Sequence, residues 1–350
     1  MRLGWRHLVV AVAGVPVAAV LVAWSGLFDV GASSGHWRIT DWFLHFAMRS
    51  SVRTHALGID MPPVDTGAVQ PAAAHYARGC AICHGGPGVP RPASVRAMLP
   101  QPPDLAPLIG TWTDAQLYWI VKHGVRFTGM PAWPSQDRDD EVWAMVAFLR
   151  KLSRLDSKTY RQLSSGNPAE DVTFRATAVL PSRPGNAAFK MALADCARCH
   201  GMEGQGRSRV MPVIAGQSES YLRASLEAYA RGQRPSGIME LAIEKTGSAL
   251  RAELASYFAS QSRRQDSSTD NEQLVARGEK IAEQGIPSAK VPPCLECHDG
   301  RGRNRIYPLL FGQRSAYLES QLRVAWQLIM RMACQRFQRV SRALYLRMCS

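Results

Sequence analysis

The sequence lacks strand patterns and a recognisable set of catalytic residues, and it has few acidic residues. No segment of the 350 residues alternates apolar and polar positions as a half-buried strand does, so no sheet is expected. No separate catalytic constellation is visible. Acidic residues are also few, since 28 Asp and Glu stand against 42 Lys and Arg and give a formal net charge of +14. That charge permits nucleic acid, anionic lipid or an acidic protein as a partner and does not choose among them.

The length and the N-terminus indicate several small domains behind an apolar segment. A chain of this size, 46% hydrophobic, suffices for two or three small domains and is too long for one. Two arginines precede an uncharged run from Leu8 to Phe28, which is long enough to span a bilayer. We predict a membrane anchor or signal segment at 1–30, with a retained anchor preferred and the rest of the chain outside the cytoplasm. Residues 31–65 are predicted to be an amphipathic juxtamembrane segment, with a helix packed on the first domain as the alternative.

The cysteines carry the chemical signal. Six of the eight cysteines form three pairs at one spacing, and each pair is followed at once by a histidine. The three sets are Cys80, Cys83 and His84; Cys196, Cys199 and His200; and Cys294, Cys297 and His298. Cys-x-x-Cys-His is the attachment signature of c-type haem, because both thiols can bond the porphyrin vinyl groups while the histidine reaches the iron. Three covalently bound haems c, each with its iron, are therefore predicted.

Other uses of a Cys-x-x-Cys pair are less consistent with this pattern. A zinc site would need a second Cys or His pair at a matching distance, and none follows within any repeat. A redox dithiol of the thioredoxin type would sit between a strand and a helix, and no strand pattern is present.

Two methionines are predicted to close the iron coordination. Met130 lies in the segment Gly-Met-Pro-Ala-Trp, where Pro131 keeps it out of a helix, and the segment immediately precedes a closing helix. Met239 takes the same place in the second repeat. Methionine sulfur opposite histidine suits a haem that relays electrons and raises its potential. Most of the other methionines are expected to fill core space.

The cysteine pairs divide the chain into three repeats, and the fold is predicted to be all-α. Each repeat opens with a helix that leads into the cysteine pair, and the first two also close with a helix, from Asp139 and from about Ala249. The predicted modules are 66–155, 185–262 and 263–350, and residues 156–184 form a linker.

The third repeat is expected to be abnormal. When Tyr317 is placed on Tyr221, the position that matches Met239 is Gln335, and Met330 and Met332 could substitute only if the loop is rebuilt. The chain ends where the closing helix should be completed, and its last 30 residues contain no Asp or Glu. A C-terminally atypical or incomplete module with an open or low-potential iron is predicted.

These motifs resemble those of class I cytochromes c, in which a few helices surround one haem. The order of an anchor and three modules resembles the three-haem cytochrome subunit of membrane-bound bacterial alcohol and gluconate dehydrogenases. The second and third modules also share a Pro-x-x-x-Gly-Gln segment, at Pro212 and Pro308, seen in c4-like and c553-like cytochromes. The resemblance implies tandem haem domains in the periplasm, anchored to the cytoplasmic membrane.

The function implied is electron transfer in a respiratory chain. The expected donor is a quinol-oxidising complex or a dehydrogenase, and the expected acceptor is another cytochrome or a terminal oxidase; no nucleic acid is expected as a partner. On its own the chain is not expected to be an enzyme. The alternative is a peroxidase-like haem enzyme that uses an open third haem. Met130 and Met239 disfavour an open iron at the first two haems. A haem-based sensor is a third possibility, but no output domain remains after three modules.

Overall fold

The computed structural model describes residues 4–27, 29–31, 35, 37–165, 187–264, 271–299 and 305–340. This part of the chain is helical and has no strand, only two isolated β-bridges, between Gly86 and Val89 and between Ile286 and Val291. The prediction of an all-α fold is confirmed. The longer helices are α1 (Trp5–Trp24), α2 (Arg38–His55), α3 (Val69–His75), α4 (Asp114–His123), α5 (Asp139–Leu152), α6 (Ser157–Ser165), α7 (Ala187–His200), α8 (Glu219–Ala230), α9 (Gly237–Ile243), α10 (Ser248–Ala259), α11 (Glu272–Gln284) and α12 (Ser315–Val340).

Shorter turns connect these helices and carry two of the cysteine pairs. A π-helical turn at Tyr76–Cys80 continues α3 into the helical turn Ala81–His84. The third pair lies at the turn Leu295–His298. The remaining short turns are Thr66–Ala68, Ala93–Arg96, Leu105–Leu108, Ile109–Thr111 and Pro287–Ala289.

The N-terminal helices differ in how they contact the modules. The described side chains of α1 from Val12 onward are all exposed. None of the helices in the described part of the chain combines the length and the apolar character that crossing a bilayer requires. Helix α2 packs its C-terminal half on the first module, where Val52 is fully buried and Arg49 lies 5.1 Å from the ring centre of Trp112. Its N-terminal half leaves an aromatic pair exposed, Trp42 stacked on Phe46.

The first module has the largest core, and local sequence signals explain its helices. A capping box between Thr113 and Gln116 begins α4. Three acidic residues open α5 and two basic residues end it, as the helix dipole favours. Most core residues of this module come from α3, α4, α5, α6 and the π-helical turn, and the largest fully buried ones are Tyr76, Met145, Phe148 and Tyr160.

Helix α6 differs from the expectation for its segment. It lies in the stretch interpreted from sequence as a linker, yet Tyr160 is 2% exposed and packs edge-on against Tyr76. Ser164 is also buried and Leu163 packs against the same core, so α6 is part of the first module. The rest of the predicted linker, 166–184, lies outside the described residues.

The second module has a smaller core than the first. Among the described residues of the third module, no hydrophobic side chain is fully buried. Leu193 of α7 packs with Leu222 of α8 and with Leu254 and Phe258 of α10. In the third module α11 contains no buried residue, and Leu274 is 60% exposed. Helix α12 begins where α8 begins in the second module, since Tyr317 aligns with Tyr221, and it continues as one helix to Val340. Residues 341–350, where the predicted closing helix would begin, lie outside the described residues.

Candidate haem-attachment sites

All three Cys-x-x-Cys-His segments form a helical turn that ends at the histidine. Cysteines three apart on such a turn lie on the same face, so both thiols point towards one ligand. In the first two segments a glycine in the left-handed region ends the turn, Gly85 at φ 69° and Gly201 at φ 72°. The third segment has Asp299 at this position, with φ −83°, and so ends differently.

Each motif histidine is held by a proline carbonyl. The Nδ1–H of His84 donates to the carbonyl of Pro103 at 2.9 Å, and His298 donates to Pro308 at 2.8 Å. The equivalent contact of His200 with Pro212 is longer, 3.4 Å. Donation from Nδ1 leaves the Nε2 lone pair available, which is the arrangement of an imidazole that binds a metal.

Burial keeps the first two histidines in the neutral form that iron requires. Removal from water lowers the pKa of His84 and of His200 below the usual value, although the proline carbonyl acts in the opposite direction at each. His200 is buried, and His298 is only partly buried.

Burial makes three of the motif thiols unlike those of a reactive redox dithiol. None of the six motif cysteines forms a disulfide. Burial raises the pKa of Cys80 and of Cys196 to about 12 and that of Cys199 to about 11, whereas a reactive dithiol has a lowered pKa. Within the described residues no set of three or more His, Cys, Asp and Glu side chains is placed to hold a metal ion. Two thiols and one neutral imidazole on one turn fit a haem c.

The segment that carries Met130 is fixed to the end of α4. The carbonyl of Met130 accepts from Val125 at 3.2 Å, and its N–H donates to Thr128 Oγ1 at 3.1 Å. Gly124 has φ 65°, and a Cβ there would lie 2.5 Å from the carbonyl carbon of Pro131. Only glycine permits this close approach, so α4 sets the position of the methionine backbone. The Met130 side chain is partly buried.

Met239 lies in the first turn of α9. Its N–H donates at 3.1 Å to Oγ of Ser236, the N-cap residue. The Met239 side chain is also partly buried. As predicted, Met239 precedes the closing helix of its module, here α10.

The third module offers no methionine loop in its described part. Gln335, which aligns with Met239, lies within α12, and so do Met330 and Met332. These methionines therefore lie in a helix and not in a rebuilt loop. The last residues, 341–350, on which the expectation of an atypical tail partly rests, lie outside the described residues.

The first two attachment segments meet at the interface between their modules. Arg78, two residues before Cys80, forms an ion pair of 2.7 Å with Asp195, which directly precedes Cys196. Gln70 of α3 donates at 2.7 Å to the carbonyl of Arg198, a residue between the two cysteines of the second motif. These contacts bring the two attachment turns side by side.

The second and third modules are joined by a reciprocal pair of glutamines. The side-chain amide of Gln313 bonds both backbone groups of Val213, at 2.7 and 3.0 Å. Gln217 bonds both backbone groups of Leu309 in the same way, at 2.8 and 3.0 Å. Val213 and Leu309 directly follow the prolines that hold His200 and His298, so each module supports the histidine loop of the other.

Sequence interpretation did not find the three prolines or the two glutamines as site residues. The repeated Pro-x-x-x-Gly-Gln segment was the available signal for four of them. Pro103 belongs to a different local sequence and had no such signal.

Comparisons with known proteins match two parts of the chain to cytochrome families. Residues 67–149 match the family described as cytochrome c oxidase, cbb3-type, subunit III, and residues 182–258 match the cytochrome c family. Cytochrome c-552 of Acidithiobacillus ferridurans is 34% identical over 158 residues, which is 43% of this chain and 68% of that protein. The thiosulfate dehydrogenase electron acceptor of Thiomonas intermedia is 31% identical and is matched over 38% of this chain and 63% of its own length. A solved cytochrome c4 from Acidithiobacillus ferrooxidans is 35% identical, covers 37% of this chain and 79% of its own, and has a TM-score of 0.34.

Helical modules with thiol-and-histidine turns define a protein that binds haem covalently. The chain belongs to the c-type cytochromes, with relatives among the cytochromes c4 and c-552. It is a multi-haem cytochrome, and the family carries electrons on covalently bound haem c. The comparisons do not extend to the dehydrogenase subunit that the order of modules resembles.

Proposed function

We propose that this chain is a three-haem electron relay, in which electrons pass along the modules in chain order or its reverse. The observation that carries the proposal is that each module contacts the next one near its haem-attachment site. The attachment turns of the first two modules are side by side through Arg78 and Asp195, and the histidine loops of the second and third support each other through Gln217 and Gln313. An arrangement of this kind favours short steps between neighbouring haems.

The chain contributes binding, orientation and burial. Each haem supplies a one-electron iron couple when bound. Cys80, Cys83, Cys196, Cys199, Cys294 and Cys297 are proposed to form the thioether bonds, and His84, His200 and His298 to bind iron through Nε2. Met130 and Met239 are proposed as the opposite ligands of the first two irons, which would raise their potentials above those of water- or histidine-closed haems.

We also propose that the N-terminal segment holds the chain at the cytoplasmic membrane, with the modules in the periplasm. The uncharged run from Leu8 to Phe28 supports this, and the described apolar side chains of α1 are exposed rather than packed in a module. Haem-stained protein should then remain with membranes after a high-salt wash. A soluble periplasmic product that begins near residue 33 would contradict a retained anchor.

The proposed partners are redox proteins at the membrane. A quinol-oxidising complex or a dehydrogenase is the proposed donor, and a cytochrome or terminal oxidase is the proposed acceptor. One relative is named as the electron acceptor of a thiosulfate dehydrogenase, which supports a dehydrogenase as donor. The net charge of +14 favours acidic surfaces on the partners over neutral ones.

A second candidate, a peroxidase-like activity at the third haem, is favoured by one observation. The third module has no fully buried hydrophobic residue among those described, and Cys297 is exposed. An iron there would be accessible to water and small ligands. Carbon monoxide titration of the reduced full chain, and peroxide-driven oxidation of a small donor, measure this accessibility directly.

The relay is tested on the purified full chain after expression with a cytochrome c maturation system. Intact mass should correspond to three haems, and three electron equivalents of a reduced donor should reduce all three. Two or fewer haems in folded protein, or one haem that exchanges no electrons with the others, would contradict the proposal.

A further inference from the structure

Glu141 is a buried carboxylate at the interface of the first two modules. It lies in the first turn of α5, and only 5% of the residue is exposed. Four donors surround it: the indole of Trp133, the hydroxyl of Ser236, the backbone N–H of Ile238 and the guanidinium of Arg138. Two of these belong to the second module, so a single side chain of the first module bonds residues of both.

One side of Glu141 holds the Met130 segment. Trp133, three residues after Met130, donates its indole Nε1–H to Glu141 Oε2 at 3.2 Å. The backbone N–H of Trp133 donates to the carbonyl of Lys122 at 2.9 Å. The segment that carries Met130 is thus anchored at its far end by α4 and by Glu141.

The other side of Glu141 holds the start of α9. Ser236 donates its hydroxyl hydrogen to Glu141 Oε1 at 2.6 Å, and its oxygen accepts from the N–H of Met239 at 3.1 Å. The N–H of Ile238 donates to Glu141 Oε2 at 3.3 Å. The cap that orients the first turn of α9, and with it the Met239 backbone, is therefore oriented by a carboxylate from the first module.

The two segments are also in direct contact. A Cβ at Gly237 would lie 2.3 Å from the Trp133 indole nitrogen, so the indole is packed against the backbone of α9 with no space left. A shift of Trp133 must therefore move the start of α9, and a shift of α9 must move Trp133.

A carboxylate suits this position better than an apolar side chain. Removing it would leave the Trp133 indole, the Ile238 N–H and the Ser236 hydroxyl without their acceptor in a buried place, and a buried donor without an acceptor destabilises the fold. The charge itself is compensated by Arg138, whose Nη1 lies 2.9 Å from Oε1. Arg138 also pairs with Asp140 and bonds the carbonyl of Pro235, so it keeps partners when Glu141 is removed.

We infer that Glu141 is a positioning residue shared by the first and second haem sites, because it orients the segments of both candidate methionine ligands. The inference rests on the proposed function, in which Met130 and Met239 bind the first two irons. Through this one carboxylate, a change at one methionine segment is transmitted to the other.

The test uses the full three-haem chain and measures the midpoint potential of each haem and the methionine-to-iron absorption band. Met130→His and Met239→His variants assign the potentials to the first and second haems, since each exchange lowers the potential of its own haem. Glu141→Ala is compared with the wild type and with Glu227→Ala, a control that removes an ion pair to Arg251 outside both methionine segments.

The expected result is selective. Glu141→Ala should shift the potentials of the first and second haems together and weaken the absorption band, with the third potential unchanged. Trp133→Phe should shift mainly the first haem and Ser236→Ala mainly the second. Glu141→Gln keeps an acceptor oxygen for Trp133 and Ile238 and should restore part of the loss.

Two results would overturn the inference while leaving the ligand assignment intact. One is a Glu141→Ala variant in which only one haem shifts; the other is a uniform change of all three haems that matches Glu227→Ala. If Met130→His and Met239→His leave both potentials unchanged, the assignment of these methionines as iron ligands is wrong. That result would contradict the proposed function and is distinct from a failure of the inference about Glu141.

Discussion

His75 should make the first module sensitive to acid. It lies at the end of α3, is 7% exposed, and stacks on Trp133 with ring centres 4.6 Å apart. Burial, with a smaller contribution from the Arg78 charge, lowers the pKa of His75 from 6.5 to about 4. The folded state therefore holds this imidazole neutral at a pH where the unfolded chain would protonate it.

Proton linkage gives the direction and the size of the change in folding stability with pH. Because the pKa is lower in the folded state, stability is full above pH 6.5 and is lost as pH falls towards 4. A shift from 6.5 to about 4 corresponds to about 3 kcal/mol in total, of which about 2 kcal/mol is lost by pH 5. His75→Phe keeps an aromatic ring against Trp133 and removes the titrating group, so its stability should depend less on pH in this window.

The measurement is urea unfolding of the full chain between pH 4 and 8, with hydrogen exchange of α3 and α5 peptides to assign the loss to the first module. His55→Phe is the matched control, since His55 also packs on an indole, that of Trp119, but is exposed. We expect His55→Phe to retain the wild-type pH dependence. The reasoning is refuted if His75→Phe loses as much stability between pH 7 and 5 as the wild type.

Three further changes test the sites. Cys83→Ala should leave one thioether, through Cys80, so the first haem stays covalently attached, as intact mass and haem-stained gels would show, while the first module unfolds at a lower urea concentration. Met130→Ala should weaken the methionine-to-iron band and lower the first potential while attachment is retained; an unchanged spectrum would mean that another residue is the ligand. Gln313→Ala removes both bonds to Val213 and should weaken the contact of the second and third modules by about 1–3 kcal/mol. Faster hydrogen exchange at Val213, without a change in the first module, is the expected signature.

The helices that carry strong local signals were predictable. Helix α11 begins and ends where the sequence indicates, at Glu272 and Gln284, because Asn271 caps it and Gly285 adopts φ 70° after it. Helix α5 follows in the same way from its acidic start and basic end. These features depend on residues within one turn of each helix end, so tertiary contacts were not needed to find them.

The parts of the sites that were missed depend on contacts between distant segments. The only local signal at Glu141 is its place in the acidic first turn of α5, and its bonds to Ser236 and Ile238 come from another module. The carbonyl that holds His84 is a backbone group of Pro103, which no repeated segment marks, and the segment that contains Pro308 did not reveal the contact with His298. Helix α6 was missed because a short, mostly polar segment gains its order from contacts with the first module, where Tyr160 and Ser164 are buried and Leu163 packs on the core.

The third module depends on the second for its order. Its own opening helix buries nothing in the described residues, yet its histidine loop is bonded to Gln217, and the Arg305 carbonyl accepts from Ser220 at 2.9 Å. Arg234 of the second module also donates to Tyr317 of α12 at 3.2 Å. Polar contacts to a folded neighbour can order a loop that lacks a core, but they disappear when the neighbour is removed. The properties of the third iron should therefore be measured in the full chain, because a fragment of the third module alone would lose the contacts that hold the His298 loop.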